Sequence, residues 1–403
     1  MLSTKTYDLV IIGGGIVGTA TALSLLNQKE YNILIIEAEE KLAAHQTGNN
    51  SGVIHSGLYY KPGSLKAKNC KTGREMMYEF CEEHDINYEK CGKIVVATSK
   101  EELPVLEMLY ERGVANGLTD LKKLKSEQLK EYEPSVTGIA GLLVPQTGIV
   151  DYVQVTEIYA KLIRNKGGEI KTDCKFISLK NSNDELVLST SKGDVKTKFL
   201  INCAGLYSDR VAKLCGIDPG LQIIPFRGEY YKLTKEKEHL VKNLIYPVPD
   251  PKFPFLGVHF TRMIHGGVEA GPNAVLAFKR EGYSHKDISI KDMLQMFTYA
   301  GFWKMASKYY KMGIGEFHRS LSKKAFVKAL NKLIPQIQTG DIERGGAGVR
   351  AQALETDGKL VDDFRIKETS KMLHVLNAPS PAATASLSIG ETITKMVEQK
   401  TMQ

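Results

Sequence analysis

The sequence predicts an α/β fold, α+β overall, in which a domain with a parallel sheet is joined to a mostly antiparallel second domain. An apolar strand, a glycine-rich turn and an Ala- and Leu-rich helix open the chain, and a similar apolar strand followed by a helix returns near residue 200. Residues 222–280 are strand-like and interrupted by prolines, which indicates the antiparallel part. The length of 403 residues suits two domains.

The composition is that of an ordinary globular protein. Charged residues make up 25% and hydrophobic residues 42% of the chain, which excludes disordered, collagen-like and low-complexity classes. The net charge of +8 favours anionic ligands or an anionic surface, but the chain has no arginine-rich block, so no nucleic-acid partner is expected. The cysteines form no CxxC pair, which predicts a reducing compartment and neither a metal site nor a disulfide framework.

The first elements form a compact βαβ unit. Residues 8–12 are short, β-branched and apolar, as in a strand that is buried on both faces of a parallel sheet. Residues 17–26 are expected to form a helix, and residues 33–36 a second apolar strand that ends at Glu37. Residues 9–26 carry no charge, but glycines divide this run into strand, turn and helix, so neither a membrane span nor a targeting segment is expected.

Between that strand and helix, the string GGGIVG at residues 13–18 matches the pattern GxGxxG. Gly13, Gly15 and Gly18 allow a tight turn and let a pyrophosphate approach the helix N-terminus, where free N–H groups and the helix dipole favour anions. Glu37 lies where a carboxylate can hydrogen-bond a ribose hydroxyl and would repel a 2′-phosphate. The pattern therefore predicts a dinucleotide, either NAD or FAD.

The polar stretch that follows the second strand favours FAD. Residues 43–60 show little periodicity of either kind, and long ordered loops are usually functional. The ribityl chain and pyrophosphate of FAD extend across such a domain, whereas a fold that uses NAD for one hydride step rarely needs a loop at this place.

The rest of the chain alternates between helical and strand-like segments. Helices are predicted at residues 66–84, 103–116, 153–166 and 209–214, together with a helical, basic and aromatic region at 287–335 and a closing helix from residue 387. Strands are predicted at residues 93–98, 199–203 and 374–377, in addition to those within 222–280.

Seven strings together resemble one known family over nearly the whole chain. They are HQTGNNSGVIHSGLYYKPGSLKAK at 45–68, CGKIVVA at 91–97, NCAGLYSD at 202–209, GVHFT at 257–261, GPNAVLAFKREGY at 271–283, GVRAQAL at 348–354 and NAPSPAATASLSIG at 377–390. The chain resembles the L-2-hydroxyglutarate dehydrogenases or oxidases, which are FAD enzymes of the D-amino-acid-oxidase and glycerol-3-phosphate-dehydrogenase superfamily. The substrate follows from this similarity alone.

The resemblance implies a Rossmann-like FAD domain with a parallel sheet, assembled from residues 1–90, 145–216 and 341–403. Residues 91–144 and 217–340 would form a mostly antiparallel substrate domain whose sheet covers the isoalloxazine ring. Related enzymes carry a histidine in the loop position occupied here by Asn49, and some members of the superfamily bind flavin covalently. Because asparagine cannot form that link, non-covalent FAD is expected.

The resemblance also implies a set of residues around FAD. The glycine turn contacts the pyrophosphate, the polar loop lines the ribityl chain, and the backbone of Phe176 contacts adenine. Small residues near the C-terminus place N–H groups beside flavin O2 and N1, where negative charge develops on reduction. The expected set is Gly13, Gly15, Gly18, Glu37, Thr47, Gly48, Asn50, Ser51, Phe176, Ala204, Gly205, Pro381, Ala382 and Ala383.

Oxidation of a 2-hydroxy acid needs a base for the hydroxyl proton and a cation for the carboxylate. His259 is the expected base and His55 is its rival, with a structural histidine as the alternative for each. Arg350 is the expected clamp, because a guanidinium binds a carboxylate through paired hydrogen bonds and its position matches the substrate clamp of related oxidases. A surface salt bridge is the alternative for Arg350.

Further candidates for substrate binding lie in strands whose register the sequence does not fix, and a slip of one residue exchanges the two faces of a strand. Arg227 is a second candidate clamp, although the neighbouring glycine fits a structural role equally well. Candidates for the distal carboxylate are Tyr230, Tyr231, Arg262 and Lys279.

These observations and the resemblance predict oxidation of L-2-hydroxyglutarate to 2-oxoglutarate by hydride transfer from C2 to flavin N5, with a quinone or oxygen taking the electrons. The alternatives are oxidation of another 2-hydroxy acid, of a secondary amine or of an amino acid, and a flavin-bearing binding protein without turnover. A cytoplasmic location is expected. Residues 287–335 leave peripheral contact with the inner face of a membrane open, since their aromatic side chains fit either a lipid surface or the core.

Overall fold

The computed structural model describes residues 5–182, 185–251 and 256–401. The strands are β1 (Thr6–Ile12), β2 (Ile33–Ile36), β3 (Val53–Ile54), β4 (Tyr88–Glu89), β5 (Lys93–Ala97), β6 (Lys122–Lys125), β7 (Ala140–Val144), β8 (Gly148–Val150), β9 (Glu169–Lys171), β10 (Phe176–Ser182), β11 (Glu185–Thr190), β12 (Gly193–Asn202), β13 (Leu221–Leu233), β14 (Leu244–Pro247), β15 (His259–Arg262), β16 (Val268–Gly271), β17 (Val275–Leu276), β18 (Ile342–Glu355), β19 (Arg365–Glu368) and β20 (Met372–Asn377). The α-helices are α1 (Ile16–Gln28), α2 (Leu65–Glu83), α3 (Leu103–Ala115), α4 (Ser126–Tyr132), α5 (Tyr152–Asn165), α6 (Ser208–Leu214), α7 (Ile290–Phe297), α8 (Ala300–Leu321), α9 (Lys323–Leu330) and α10 (Ser386–Thr401).

The first sheet has a parallel centre. Its order is β10-β11-β12-β1-β2-β9, with β20 beside β12 and β19 beside β20. Alternate residues of β1 are buried on opposite faces of the sheet. Leu9 and Ile11 pack against helices α1, α5 and α10, and Val10 and Ile12 belong to a separate core cluster on the other face. Burial on both faces explains why this strand is apolar throughout, and it confirms the βαβ unit predicted from the sequence.

The second sheet is mostly antiparallel, as the sequence predicts. Its order is β17-β13-β16-β15-β14-β5-β7-β6, and β18 pairs with β13 along most of its length. In the described residues, the pair β5–β14 is the parallel exception. Together the two sheets confirm the α/β (α+β) class.

The division of the chain into domains stays a prediction. One strand of the predicted FAD domain belongs to the antiparallel sheet in the structure. The sequence assigns residues from 341 onward to the FAD domain, whereas β18 hydrogen-bonds to β13 in the antiparallel sheet. A small third sheet, β3-β8-β4, accompanies these two.

The glycine turn joins β1 to α1 by close backbone contacts. Gly13 has a φ of +112°, in the region that favours glycine, and a Cβ there would lie 2.5 Å from the carbonyl oxygen of Cys203. A Cβ on Gly18 would overlap the carbonyl oxygen of Gly13. Gly13 therefore permits the turn, and Gly18 permits the helix to pack against it.

We expect Gly18→Ala to destabilise the protein by about 1–3 kcal/mol, because the methyl group meets backbone that cannot move aside. The measurement is the free energy of unfolding by chemical denaturation, with and without added FAD. Gly313→Ala is the matched control: Gly313 lies within helix α8 and a Cβ there meets nothing within 4 Å. The control is expected to be neutral or slightly stabilising, and equal losses in both variants would contradict this account of the turn.

Candidate active site

A large cavity lies where the two sheets meet. Its volume is about 1680 Å³, and it is bordered by the carboxyl ends of β1, β2 and β20 and by residues of β13, β15 and β18. Ligands of open α/β sheets bind at the carboxyl ends of the parallel strands. Because pockets for single small ligands measure about 300–1000 Å³, this cavity has room for an extended cofactor and a small substrate together.

The N-terminus of α1 is built to receive an anion. Its N-cap, Gly15, makes no side-chain hydrogen bond, and the first turn of the helix contains no acidic residue. Gly13 and Gly15 both border the cavity. Free N–H groups and bare glycine backbone at a helix N-terminus suit the pyrophosphate of a dinucleotide.

Glu37 and Thr47 brace the turn as well as bordering the cavity. The Glu37 carboxylate accepts hydrogen bonds from the backbone N–H groups of Gly14, at 2.6 Å, and of Glu39, at 2.9 Å. A carboxylate has further lone pairs, so a ribose hydroxyl can still donate to it. The hydroxyl of Thr47 accepts from the N–H of Ile16 at 3.1 Å, which makes it a helix cap supplied by the loop.

Most of the other expected cofactor residues reach the cavity wall. Gly18 and Gly48 are absent from that wall: each allows a close backbone approach, Gly18 to the turn and Gly48 to the carbonyl of Ala43. The residues that do line the cavity are Asn50, Ser51, Phe176, Ala204, Gly205, Pro381, Ala382 and Ala383. These residues therefore border the same cavity as the glycine turn.

The structure brings both candidate histidines to the same cavity. Burial, followed by the charges of Arg350 and Lys93, lowers the pKa of His259 to about 3. Burial, followed by the nearby charges of Lys93 and Arg350, lowers the pKa of His55 to about 3. Both imidazoles are therefore neutral at physiological pH, which is the form that accepts a proton.

The two histidines differ in their hydrogen bonds. Nδ1 of His259 lies 2.9 Å from the carbonyl oxygen of Gly257. A carbonyl only accepts, so Nδ1 carries the proton and Nε2 keeps its lone pair. Nε2 of His55 lies 3.4 Å from the hydroxyl of Ser380, which offers that nitrogen a local partner. His259 is thus the better placed proton acceptor.

Arg350 borders the same cavity from β18. Burial lowers the pKa of its guanidinium, which nevertheless keeps its charge. Tyr230 on β13 also borders the cavity, and burial raises the pKa of its hydroxyl to about 12, so the hydroxyl remains a donor. The guanidinium of Arg350 and the hydroxyl of Tyr230 can bind the carboxylate of a hydroxy acid, and a neutral imidazole can accept the proton of its hydroxyl group.

The structure does not bring Arg227, Arg262 or Lys279 to the cavity wall. The side chain of Arg227 faces away from the cavity. Arg350 pairs with Phe226 of β13, and Arg227 is the next residue along β13, so Arg227 and Arg350 lie on opposite faces of the sheet.

Each of these three cations has another partner. Arg227 binds Glu229, the carbonyl oxygen of Ser284 and His285, at 2.8–2.9 Å. Arg262 pairs with Glu89, and Lys279 lies 3.9 Å from Glu281 near the surface. Tyr231 packs in the core of the second sheet.

Three residues near His259 are not among those predicted from the sequence. The ring of Tyr246 lies 3.9 Å from that of His259, centroid to centroid. Nζ of Lys93 lies 4.4 Å from the ring centroid of Tyr59 and 4.9 Å from that of Tyr246. A signal was present, because Lys93 is the one charged residue in the otherwise apolar strand KIVVA.

One group of side chains has the spacing of a metal site. Potential ligand atoms of Glu39, His45 and Glu281 lie within 4.8 Å of one another, and all three side chains are partly exposed. His45 hydrogen-bonds to Glu39 at 3.0 Å and to the hydroxyl of Tyr283 at 3.1 Å. These hydrogen bonds give the cluster a structural role, in which it joins the cofactor loop, residues 43–60, to residues 281–283.

The site as a whole is that of a dinucleotide-dependent oxidoreductase.

Comparison with known proteins specifies this class. The profile described as "FAD dependent oxidoreductase" matches residues 8–396. The L-2-hydroxyglutarate dehydrogenase of Indibacter alkaliphilus is 57% identical over 96% of this chain and 98% of that protein. The human mitochondrial L-2-hydroxyglutarate dehydrogenase is 45% identical over 99% of this chain and 90% of that protein. The chain therefore belongs to the FAD-dependent oxidoreductase family and, within it, to the L-2-hydroxyglutarate dehydrogenases, which confirms the family named from the sequence.

Solved structures show the same fold at much lower identity. An FAD-bound L-α-glycerophosphate oxidase from Mycoplasma pneumoniae has a TM-score of 0.80 at 23% identity, covering 98% of this chain and 95% of that chain. A glycine oxidase from Geobacillus kaustophilus has a TM-score of 0.74 at 16% identity, covering 98% and 95%. The expected cofactor, FAD, follows from the family and agrees with the glycine turn and the long cavity.

We expect Arg350→Lys to raise the KM for the substrate about 10- to 100-fold, because lysine keeps the charge but loses the paired hydrogen bonds. Steady-state kinetics on the FAD-loaded enzyme provide the measurement. Arg344→Lys is the control on the same strand, at an exposed position away from the cavity. An unchanged KM for Arg350→Lys would exclude Arg350 as the carboxylate clamp.

Proposed function

We propose that the protein oxidises L-2-hydroxyglutarate to 2-oxoglutarate with FAD as its cofactor. The observation that carries this proposal is the 57% identity to an L-2-hydroxyglutarate dehydrogenase along nearly the full length of both chains. The geometry agrees, because Arg350, Tyr230 and His259 share one cavity with the nucleotide-binding turn. Bound FAD supplies the acceptor for the hydride that leaves C2.

His259 removes the hydroxyl proton. With its Nδ1–H donated to Gly257, Nε2 accepts the proton as the C–O bond becomes a carbonyl. The low pKa of the free imidazole makes it a weak base before substrate binds, largely through burial and partly through the charges of Arg350 and Lys93. A bound carboxylate offsets those two charges and so raises the pKa of His259 towards its ordinary range.

Arg350 orients the substrate. A carboxylate held by the guanidinium fork fixes C1, and Tyr230 adds a donor from the neighbouring strand. With C1 held and the hydroxyl directed at His259, only one of the two C2 configurations presents its hydrogen to the flavin side of the cavity. Selectivity for one enantiomer follows from these contacts, and the relatives' names support the L enantiomer as that one.

We infer that FAD is held non-covalently through the loop of residues 43–60. The amide of Asn49 donates hydrogen bonds to the carbonyl oxygens of Ala44 and His45, at 3.1 and 2.8 Å. An amide nitrogen used in this way has no chemistry for a covalent flavin link. Quinone or oxygen as the final electron acceptor stays a prediction.

The test is anaerobic mixing of the FAD-loaded protein with substrate while the flavin absorbance is recorded. L-2-hydroxyglutarate is expected to bleach the flavin band and D-2-hydroxyglutarate is not. His259→Gln should slow bleaching by about 10²- to 10⁴-fold, the usual contribution of a general base, and His55→Gln by far less. Bleaching by glycine, sarcosine or proline but by neither hydroxyglutarate enantiomer would favour an amine oxidase. A greater loss in His55→Gln than in His259→Gln would reverse the assignment of the base.

We also propose that helices α7 and α8 contact an anionic membrane surface peripherally. Met296, Phe302 and Met305 of these helices are buried in the core, so part of the apolar surface of the two helices packs against the protein itself. Other apolar side chains remain outside: Ile290 is 75%, Leu294 60% and Ile314 66% exposed. No helix in the described part of the chain is long and apolar enough to cross a membrane.

Charge supports this contact. The exposed apolar residues, together with Trp303 and Leu321, lie on the same two helices as Lys291, Lys304, Lys308 and Lys311. Apolar side chains that enter the headgroup layer, combined with lysines that attract anionic lipids, are typical of interfacial helices. Such a contact suits delivery of electrons to a membrane quinone.

We expect the protein to sediment with vesicles containing phosphatidylglycerol at low salt, and less with phosphatidylcholine vesicles. The double variant Ile290→Glu/Leu294→Glu should lose at least about half of the binding, since it places two charges at the lipid surface. Ile177→Glu is the control, an apolar residue that is 51% exposed on β10. Equal sedimentation of both variants and the parent protein would exclude α7 as the contact.

A further inference from the structure

Lys93 is a buried lysine for which the described residues provide no carboxylate partner. It opens strand β5 and is 2% exposed. Within the described residues, its Nζ makes no hydrogen bond or ion pair, and its close neighbours are the rings of Tyr59 and Tyr246, at 4.4 and 4.9 Å from Nζ to the centroid. Lysine is rarely buried in this way without a pairing group, so its position requires an explanation.

The two tyrosine rings compensate only part of the cost of burying the charge. Cation–π attraction is modest compared with the hydration that an ammonium group loses. Burial lowers the pKa of Lys93 to about 7. Near neutral pH, the free protein therefore holds a mixture of the neutral amine and the ammonium form.

Lys93 lies directly behind the substrate end of the cavity. Tyr59 and Tyr246 border the cavity, and Tyr246 stacks beside His259. The charge of Lys93 contributes to lowering the pKa of both His55 and His259. Lys93 is therefore electrically coupled to the place where the substrate reacts.

The groups around Lys93 offer no fixed negative charge. Tyr59 and His55 come from the cofactor loop, Cys70 from α2, Tyr246 from β14 and His259 from β15. Burial raises the pKa of the Cys70 thiol to about 12 and raises those of both tyrosine hydroxyls, so all three stay protonated. The imidazoles of His55 and His259 are neutral at physiological pH. A second carboxylate in the cavity would therefore be attracted to the ammonium group of Lys93.

We propose that Lys93 is a specificity-determining positioning residue that takes up a proton when a dicarboxylate enters the cavity and, through the wall formed by Tyr59 and Tyr246, favours substrates with a second carboxylate. This inference rests on the proposed function and names the group that distinguishes L-2-hydroxyglutarate from a 2-hydroxy acid with an uncharged tail. Arg350 balances one carboxylate, and protonated Lys93 balances the other across the aromatic wall.

The dependence on pH has a definite sign. Negative charge in the cavity raises the pKa of Lys93, so binding is accompanied by proton uptake. Below about pH 6 the lysine is already protonated and no uptake is expected. Above its pKa of about 7, each bound dicarboxylate must recruit a proton, so affinity falls as pH rises.

The first test measures proton uptake by the FAD-loaded wild-type protein. Glutarate is the probe, because it has both carboxylates but no hydroxyl group to oxidise. Isothermal titration calorimetry in buffers of different ionisation enthalpy should show uptake of about half a proton at pH 7, more near pH 8 and little near pH 6. Valerate, with one carboxylate, should show much less. No glutarate binding, or no uptake at any of these pH values, would overturn the proposal.

The second test separates charge from structure. Lys93→Met should raise the KM for L-2-hydroxyglutarate about 10- to 100-fold with a smaller effect on kcat, and should abolish the proton uptake seen near pH 8, where His259 stays neutral. Lys93→Arg, which stays charged, should preserve the affinity but also abolish uptake and flatten the pH dependence.

Lys90→Met is the matched control. Lys90 also lies over two tyrosine rings, Tyr78 at 4.4 Å and Tyr88 at 5.8 Å from Nζ to the centroid, but its side chain is 51% exposed. Wild-type behaviour is expected for this variant. Unchanged KM and unchanged proton uptake in Lys93→Met would contradict the proposal.

Failure of the proposed reaction is recognisable separately. If glutarate binds with Lys93-dependent proton uptake but L-2-hydroxyglutarate does not bleach the flavin, the reaction is wrong and the dicarboxylate site stands. If L-2-hydroxyglutarate is oxidised with the same pH dependence by wild type and Lys93→Met, the reaction stands and the role of Lys93 is wrong.

Discussion

Loss of hydration is the constraint on which this active site depends. Burial is the largest single cause of the shifted pKa values of His55, His259, Lys93 and Arg350, which all lie around one end of a shared cavity. In water these groups would be ordinary bases and cations. In the protein they form a region with neutral imidazoles and with a buried lysine, Lys93, that has no carboxylate neighbour among the described residues, and such a region favours an incoming anion.

The scaffold creates this environment by bringing two sheets together. The parallel sheet contributes the glycine turn and its strand ends, and the antiparallel sheet contributes the wall opposite. Register is decisive in that wall: Arg350 pairs with Phe226 and borders the cavity, whereas the next residue of β13, Arg227, points to the opposite face of the sheet and does not border it. Gly348 helps to bring the layers together, because a Cβ there would overlap the carbonyl oxygen of Asn49 in the cofactor loop.

Much of the fold follows from the sequence, because its strongest signals are local. The apolar strand, the glycine turn and Glu37 predict the βαβ unit, and β2 begins and ends at the predicted residues 33 and 36. The sequence predicts the site less well, because the register between distant strands decides which side chains face the cavity. Arg227, Arg262 and Lys279 have the chemistry of a carboxylate site, but each lies beside another partner in the structure. Lys93 escaped notice because a charged residue at the start of an apolar strand is ordinarily a solvated strand end, and only the assembled structure shows it enclosed by two tyrosines.

The most direct test of this account compares two substrates that differ only in the second negative charge. The measurement is kcat/KM for L-2-hydroxyglutarate and for L-2-hydroxyvalerate, which has the same five-carbon chain and an uncharged end. The account predicts that the FAD-loaded enzyme prefers the dicarboxylate by at least about 100-fold, because only that substrate carries a second carboxylate to balance the buried charge of Lys93. Equal values for the two substrates would contradict the claim that uncompensated buried positive charge selects the substrate.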